Sequence, residues 1–252
     1  MYGAITSRPA KLDRVRSAVL GWGSGVSLEG ITALVSRRLS AMGAELLVTR
    51  VVEEPEVEEA IRSAIREADL TILIGPPGRR SSEIVARSIG REVILSRMAL
   101  DIVKGYLALA EERPPPVARL PEEYEELAYV PAGSLVLRNP ARPAPGYVIE
   151  DEWGVLAFIP GLDSAPALFE GELGQFVRAL TGAYFSVTLV FDLVGSPEEA
   201  LREAYEAAPW AYFEVKGRKV EATVYAKSPE ELSERMEELK AKVSEKVSEL
   251  SR

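Results

Sequence analysis

The stretch Asp69-Leu70-Thr71-Ile72-Leu73-Ile74-Gly75-Pro76-Pro77-Gly78 decides how the chain folds. Its first half is a run of aliphatic and β-branched residues without polar alternation. That pattern belongs to a strand buried on both faces, and so to a central parallel strand. Gly-Pro-Pro-Gly then ends the ladder, because proline has no N–H and glycine accepts dihedrals that strands do not use. Behind it, Arg79-Arg80-Ser81-Ser82-Glu83 opens a helical pattern with Ile84, Val85 and Ile89 on its apolar side, and Ser81 or Ser82 is the expected N-cap. Strand, tight loop and helix N-terminus in that order form the place where open α/β sheets bind ligands.

Working outward, the same alternation repeats. Ser17–Leu20 reads as a short buried strand closed by Gly21-Trp22-Gly23-Ser24-Gly25, and Leu28, Ile31, Val35, Leu39 and Met42 follow at helical spacing up to Gly43. Leu46–Val52 is the next strand, and Pro55 opens a helix with Val57, Ile61, Ile65 and Ala68 inside. Val93–Leu95 continues the series, with Ser96 capping a helix through Ala99, Ile102, Val103, Tyr106 and Leu109. From residue 17 to 112 this is the signature of βαβ crossovers and a parallel sheet. Arg113-Pro114-Pro115-Pro116 interrupts it, and Glu122, Glu123, Glu125 and Glu126 mark a polar surface segment. Leu127–Val130, Ser134–Leu137, Tyr147–Glu150 and Val155–Ile159 are short strands between Pro/Gly turns, and residues 163–181 read as one helix. Beyond Gly182 come a strand (Tyr184–Val194), a helix opened by Ser196-Pro197-Glu198-Glu199, strands Trp210–Val215 and Val220–Ala226, and a last helix opened by Ser228-Pro229-Glu230-Glu231. The expected organisation is a three-layer α/β/α domain with a mostly parallel sheet over residues 1–181, then a small βαββα domain over 182–252.

Composition narrows the chemistry. The 252 residues, 47% of them hydrophobic, suffice for a substantial core, and a net charge of −9 argues against nucleic-acid binding. The sequence has no cysteine and no histidine. Disulfides, thiolate nucleophiles and imidazole bases or ligands are therefore excluded, and catalysis would rest on carboxylates, Lys, Arg, hydroxyls or a carboxylate-held hard cation. No apolar run approaches the roughly 20 residues of a spanning helix, and the first residues lack a signal-peptide core. A cytoplasmic protein without a membrane partner is expected.

Read together, these stretches resemble the molybdopterin-binding (MoCF biosynthesis, MogA-like) domain as it occurs in the CinA competence/damage-inducible family. Val130-Pro131-Ala132-Gly133-Ser134 resembles the family's "P-x-G-A" turn. Asn139-Pro140-Ala141-Arg142-Pro143-Ala144-Pro145-Gly146-Tyr147 resembles "N-P-x-G-T-A-P-G-F", and Ile159-Pro160-Gly161-Leu162-Asp163-Ser164 resembles "L-P-G-V-P-S". The tail resembles the KH-like domain that follows in CinA proteins, but has no GXXG loop. The family's acids are missing: its "G-D-E-L-L" stretch is replaced at Gly21–Gly30, where only Gly25 and Glu29 come near, and its "T-G-G-x-G-P-T-x-D-D" loop is cut to Gly75–Ser82. Glu126 stands for the lysine of "K-Q-A", and Ala165 for the glutamate of "P-S-E-M".

The candidate ligand site is Gly75, Pro76, Pro77, Gly78, Arg79, Arg80, Ser81 and Ser82, whose N–H groups and arginines suit a phosphate. The alternative is a strand-ending turn with solvated arginines. Gly23, Ser24, Gly25, Asn139, Arg142, Gly161, Asp163 and Ser164 are candidate pocket walls; the Gly21–Gly25 loop is equally readable as a turn, and Asp163 as an N-cap. No dedicated metal site is expected. Three functions stay open. The resemblance implies a binder of a phosphorylated pterin (molybdopterin) or nucleotide, with catalysis lost or altered. It equally implies an Mg²⁺-dependent ADP-ribose or dinucleotide pyrophosphatase, for which Glu29 and Asp163 are the only nearby acids. The third is a non-catalytic assembly module, and a homo-oligomer is expected from the resemblance.

Overall fold

The computed structural model describes residues 14–110, 120–193 and 195–250; Arg113–Pro116 and the first thirteen residues lie outside that set. In chain order the elements are β1 (Val15–Trp22), α1 (Val26–Ala41), β2 (Ala44–Val52), α2 (Glu54–Glu67), β3 (Leu70–Gly75), α3 (Arg79–Ser88), β4 (Val93–Leu95) and α4 (Arg97–Ala110). A one-turn α5 (Glu122–Glu125) and a 3-10 turn lead to β5 (Tyr129–Pro131), β6 (Leu135–Leu137), β7 (Gly146–Asp151), β8 (Gly154–Pro160), α6 (Ser164–Glu170) and α7 (Glu172–Thr181). The remainder is β9 (Phe185–Asp192), α8 (Pro197–Ala207), β10 (Tyr212–Lys216), β11 (Lys219–Ala226) and α9 (Pro229–Leu250).

The main sheet runs β2-β1-β3-β8-β7-β6. Its centre is parallel, with Val19 opposite Ile72 and Ile72 opposite Ala157, and β8, β7 and β6 close it as an antiparallel meander. All six residues of β3 are buried, as a doubly covered strand requires. Leu20, Leu73, Phe158 and Tyr147 pack with Val57, Ile61, Ile84 and Val85 of α2 and α3. On the other face, Gly21 lies under Leu28 and Thr32 of α1, so close that an added Cβ would meet Thr32 Oγ1 at 2.7 Å. The architecture is therefore the expected mixed α/β fold with a mostly parallel central sheet.

Three local expectations change. Val93–Leu95 leaves the main sheet and pairs antiparallel with β5 as a two-stranded ribbon; the place beside β3 goes to β8. The run 163–181 is two helices, α6 and α7, separated at Gly171. Leu127 and Ala128 belong to the 3-10 turn, and the strand starts at Tyr129.

Contacts divide the chain into two units: Val15–Ser36 with Leu46–Phe176, and Arg37–Glu45 with the chain from Val177 onward. The second unit has its own core, in which Phe213, Val220, Ala222, Val224 and Leu239 are buried in a sheet of order β10-β11-β9. Ser196 caps α8 by accepting from Glu199 N, and Ser228 accepts from Glu231 N at the start of α9, as the two Ser-Pro-Glu-Glu boxes require. Among the described residues, no helix is long and apolar enough to cross a membrane.

Candidate functional site

Strands β1, β3 and β8 are parallel neighbours, so the loops that follow them lie side by side at the carboxyl edge of the sheet. These loops are Gly23-Ser24-Gly25, Gly75-Pro76-Pro77-Gly78 and Pro160-Gly161-Leu162-Asp163. Gly161 N donates to Gly75 O over 2.7 Å, tying the third loop to the end of β3. Gly23 N donates to Val52 O over 2.9 Å, which fixes the first loop against the end of β2. Gly25, Gly78 and Gly161 all have positive φ, and an added Cβ would meet open space at each.

Helix α3 begins at Gly78, which occupies the N-cap position with φ 108° and ψ 176°, and no side chain caps it. Ser81 and Ser82 are the third and fourth helical residues, 2% and 3% exposed, and neither is the cap expected from the sequence. Glycine in this extended, positive-φ conformation lets the helix turn in earlier than a serine cap would. The first turn contains two arginines and no acid. Positive charge there runs against the helix dipole, whose N-terminus favours anions.

Arg79 and Arg80 are not idle. Arg79 Nε donates to Glu83 over 2.8 Å, Nη1 stands 3.7 Å from Glu126, and the guanidinium lies 4.5 Å from the Tyr129 ring centroid. The hydrogen bond to Glu83, with Glu126 and Tyr129 adding to it, raises the Arg79 pKa further above its usual value. Arg80 pairs with Glu54 on α2. A groove of about 610 Å³ lined by Glu54, Pro55, Glu58, Arg80, Glu83, Ile84 and Arg87 separates α2 from α3. Both cations thus rest on glutamates.

Below the loop there is no depth. An added Cβ at Gly75 would lie 2.9 Å from Trp22 and 3.3 Å from Phe158, and Trp22 is 6% exposed. Tyr147 stacks on Phe158 with centroids 4.9 Å apart, fully covered. Its hydroxyl has no partner at hydrogen-bond geometry. Burial pushes its pKa up, with nearby Ser82 easing the shift. Buried aromatic rings thus fill the space beside Gly75.

The wall contributed by the β6–β7 loop is held from inside. Asn139 donates to Ala144 O (2.8 Å) and to Ser164 Oγ (2.9 Å), and Ser164 donates to Pro160 O over 2.6 Å. Both residues are buried and serve to bind two loops together. Arg142 and Asp163 meet at the surface, 2.5 Å apart, and Asp163 makes no capping hydrogen bond at the N-cap of α6. The bond it donates to Asp163 raises the Arg142 pKa. Glu29 is exposed in the first turn of α1. Among the described residues, no group of three or more Asp or Glu side chains is placed to hold a metal ion.

The sequence thus brought together the loops of the candidate site, but missed Trp22, Tyr147 and the glutamates 54, 83 and 126 that partner the arginines. The pairing of a large residue at the end of one strand with glycine at the end of its neighbour is the signal that identifies Trp22. The ion pairs leave no local signal, since Arg80 and Glu54 are 26 residues apart.

No family model matches the sequence. It is 30% identical over 203 residues to a protein of Pyrobaculum calidifontis, covering 72% of this chain and 75% of the relative. It is 29% identical over 133 residues to a putative competence-damage inducible protein of Caldicellulosiruptor saccharolyticus, covering 50% of this chain and 31% of that one. The chain therefore spans about a third of the length of that curated relative. Among solved structures, CinA of Thermoplasma acidophilum aligns with a TM-score of 0.55 at 20% identity, over 66% of this chain and 99% of that one, a likeness of fold.

Proposed function

We propose, for a chain that belongs with the CinA-like proteins and has their molybdopterin-binding-type α/β fold, that it binds a small phosphorylated ligand, a pterin or nucleotide, at the carboxyl edge of β1, β3 and β8. One observation carries this reading: α3 starts without a capping side chain, with two arginines and no acid in its first turn, beside two other glycine loops. A phosphate there would accept from the first-turn N–H groups and satisfy the helix dipole and the arginines together. Pro76 and Pro77 remove two competing donors and stiffen the loop in advance.

The reading is of a binder. Asp163 is engaged by Arg142, Glu172 by the backbone of Arg138, and Glu29 stands alone in α1. A pyrophosphate-cleaving metal centre needs several carboxylates converging on the ion. The relatives' competence-damage names supply the class of protein and leave this ligand to be found.

The test is a thermal-shift and calorimetry series with AMP, ADP-ribose and molybdopterin, each with and without Mg²⁺. Binding without turnover is expected. The double variant Arg79→Ala/Arg80→Ala should keep its melting temperature and lose about tenfold in affinity for the ligand that binds. Mg²⁺-dependent cleavage of ADP-ribose to AMP and ribose 5-phosphate would make the protein a hydrolase, and the absence of any shift would leave the platform without a ligand.

A further inference from the structure

Helices α2 and α3 open with opposite charge. The first turn of α2 holds Glu54 and Glu56, whereas that of α3 holds Arg79 and Arg80 and no acid. Acids suit the positive end of a helix dipole, and arginines oppose it. Glu54 and Arg80 both line the groove of about 610 Å³ between the two helices. There the well-placed acid and the misplaced cation meet, with Arg80 Nη2 donating to Glu54.

The two arginines are held to different degrees. Arg79 has Glu83 at 2.8 Å, Glu126 at 3.7 Å and the ring of Tyr129 beside its guanidinium. Among the described residues Arg80 pairs with Glu54 alone, and its side chain is 79% exposed. An ion pair so open to water is weak. A phosphate offers a guanidinium the same forked geometry as a carboxylate, with more charge, and so can displace it.

Resting on the reading that a phosphorylated ligand binds at the first turn of α3, we propose that Glu54 is that ligand's built-in competitor and sets the affinity of the site. Its carboxylate occupies Arg80, the second residue of the turn, and the ligand gains this guanidinium only by taking it from Glu54. The charge count points the same way. Two cations, Arg79 and Arg80, stand against three carboxylates, Glu54, Glu83 and Glu126, which leaves the cluster with an excess of one negative charge. Neutralising Glu54 removes that excess and frees the less restrained arginine. Glu83 is the weaker competitor, since Arg79 without it keeps Glu126 and Tyr129.

Calorimetry on the full chain with AMP and with ADP-ribose tests this. Glu54→Gln should tighten binding of the probe by about threefold to tenfold, and Glu83→Gln by less, with little change in melting temperature. Glu59→Gln removes the same charge from α2 but frees Arg62 and Arg66 instead, and should leave the affinity as it is. In an Arg80→Ala background, Glu54→Gln should no longer tighten binding. A probe bound by Glu54→Gln but not by the wild type would support the proposal. Wild-type binding that Glu54→Gln leaves unchanged would overturn the competitor and keep the ligand site. An equal gain from Glu59→Gln, or a gain that survives Arg80→Ala, would also overturn it, because plain repulsion would then account for the effect. Failure of both wild type and Glu54→Gln to bind either probe would remove the ligand reading and the competitor with it.

Discussion

Tyr147 shows how a single atom can be out of balance in an otherwise well-packed core. The family pattern has phenylalanine where this chain has tyrosine, and the ring stacks on Phe158 as a phenylalanine would. The added hydroxyl is buried with Ser82 nearby but with no bond at full hydrogen-bond geometry. A buried, unmatched hydroxyl costs about 1–3 kcal/mol, so Tyr147→Phe should be neutral or stabilise by up to about 1 kcal/mol in urea denaturation. A loss of stability instead would reveal a partner such as an internal water. At the same scale lies Trp22, which closes the space that Gly75 leaves open. Neither feature is visible in a local reading of sequence, because each depends on what the neighbouring strand presents at the same height.

Elements are joined by a few long side chains, and Arg91 is the clearest. It donates to Ala132 O (2.8 Å) after β5, to Glu150 O (3.2 Å) in β7 and to Asp151 Oδ2 (2.7 Å) at the β7–β8 turn. The Arg91 bond and a backbone bond from Glu152 hold the Asp151 carboxyl below its usual pKa. A depressed folded-state pKa contributes stability above the unfolded value, near 3.9 for aspartate, which is lost as pH falls through the folded value. Lowering the pH from about 5 to 2 should therefore destabilise the wild type more than Asp151→Asn. Parallel urea titrations at the two pH values measure that difference. Elements were also the scale at which the sequence spoke most clearly. The unbroken aliphatic run of β3 and the two Ser-Pro-Glu-Glu boxes translate directly into a doubly covered strand and two capped helices. Three-residue β4 did not, since a run so short reads alike whether it joins a large sheet or a ribbon. The break between α6 and α7 was hidden because apolar residues continue at helical spacing through Gly171. For the candidate site, strand-then-glycine punctuation identified the loops. The ion pairs at their rim arise from residues distant in sequence and were not legible.

For the whole molecule, charge is the dominant long-range term. With 39 acids against 30 basic residues and no histidine, the net charge stays negative throughout the neutral range. Salt screens that field within about 10 Å at 0.1 M. Phosphate binding at α3 draws on the nearby arginines and should weaken between about 20 mM and 300 mM NaCl. Calorimetry across one salt series measures that response.

The bond between Gly161 and Gly75 has a bearing on how such proteins diverge. It is a staple between main-chain atoms. No replacement of a side chain removes its acceptor, and only a proline at 161 deletes its donor. Acids and bases around the three loops are therefore free to be exchanged over time while the frame that seats them keeps its shape. A chain can shed the reactive groups of its kin and still inherit the seat.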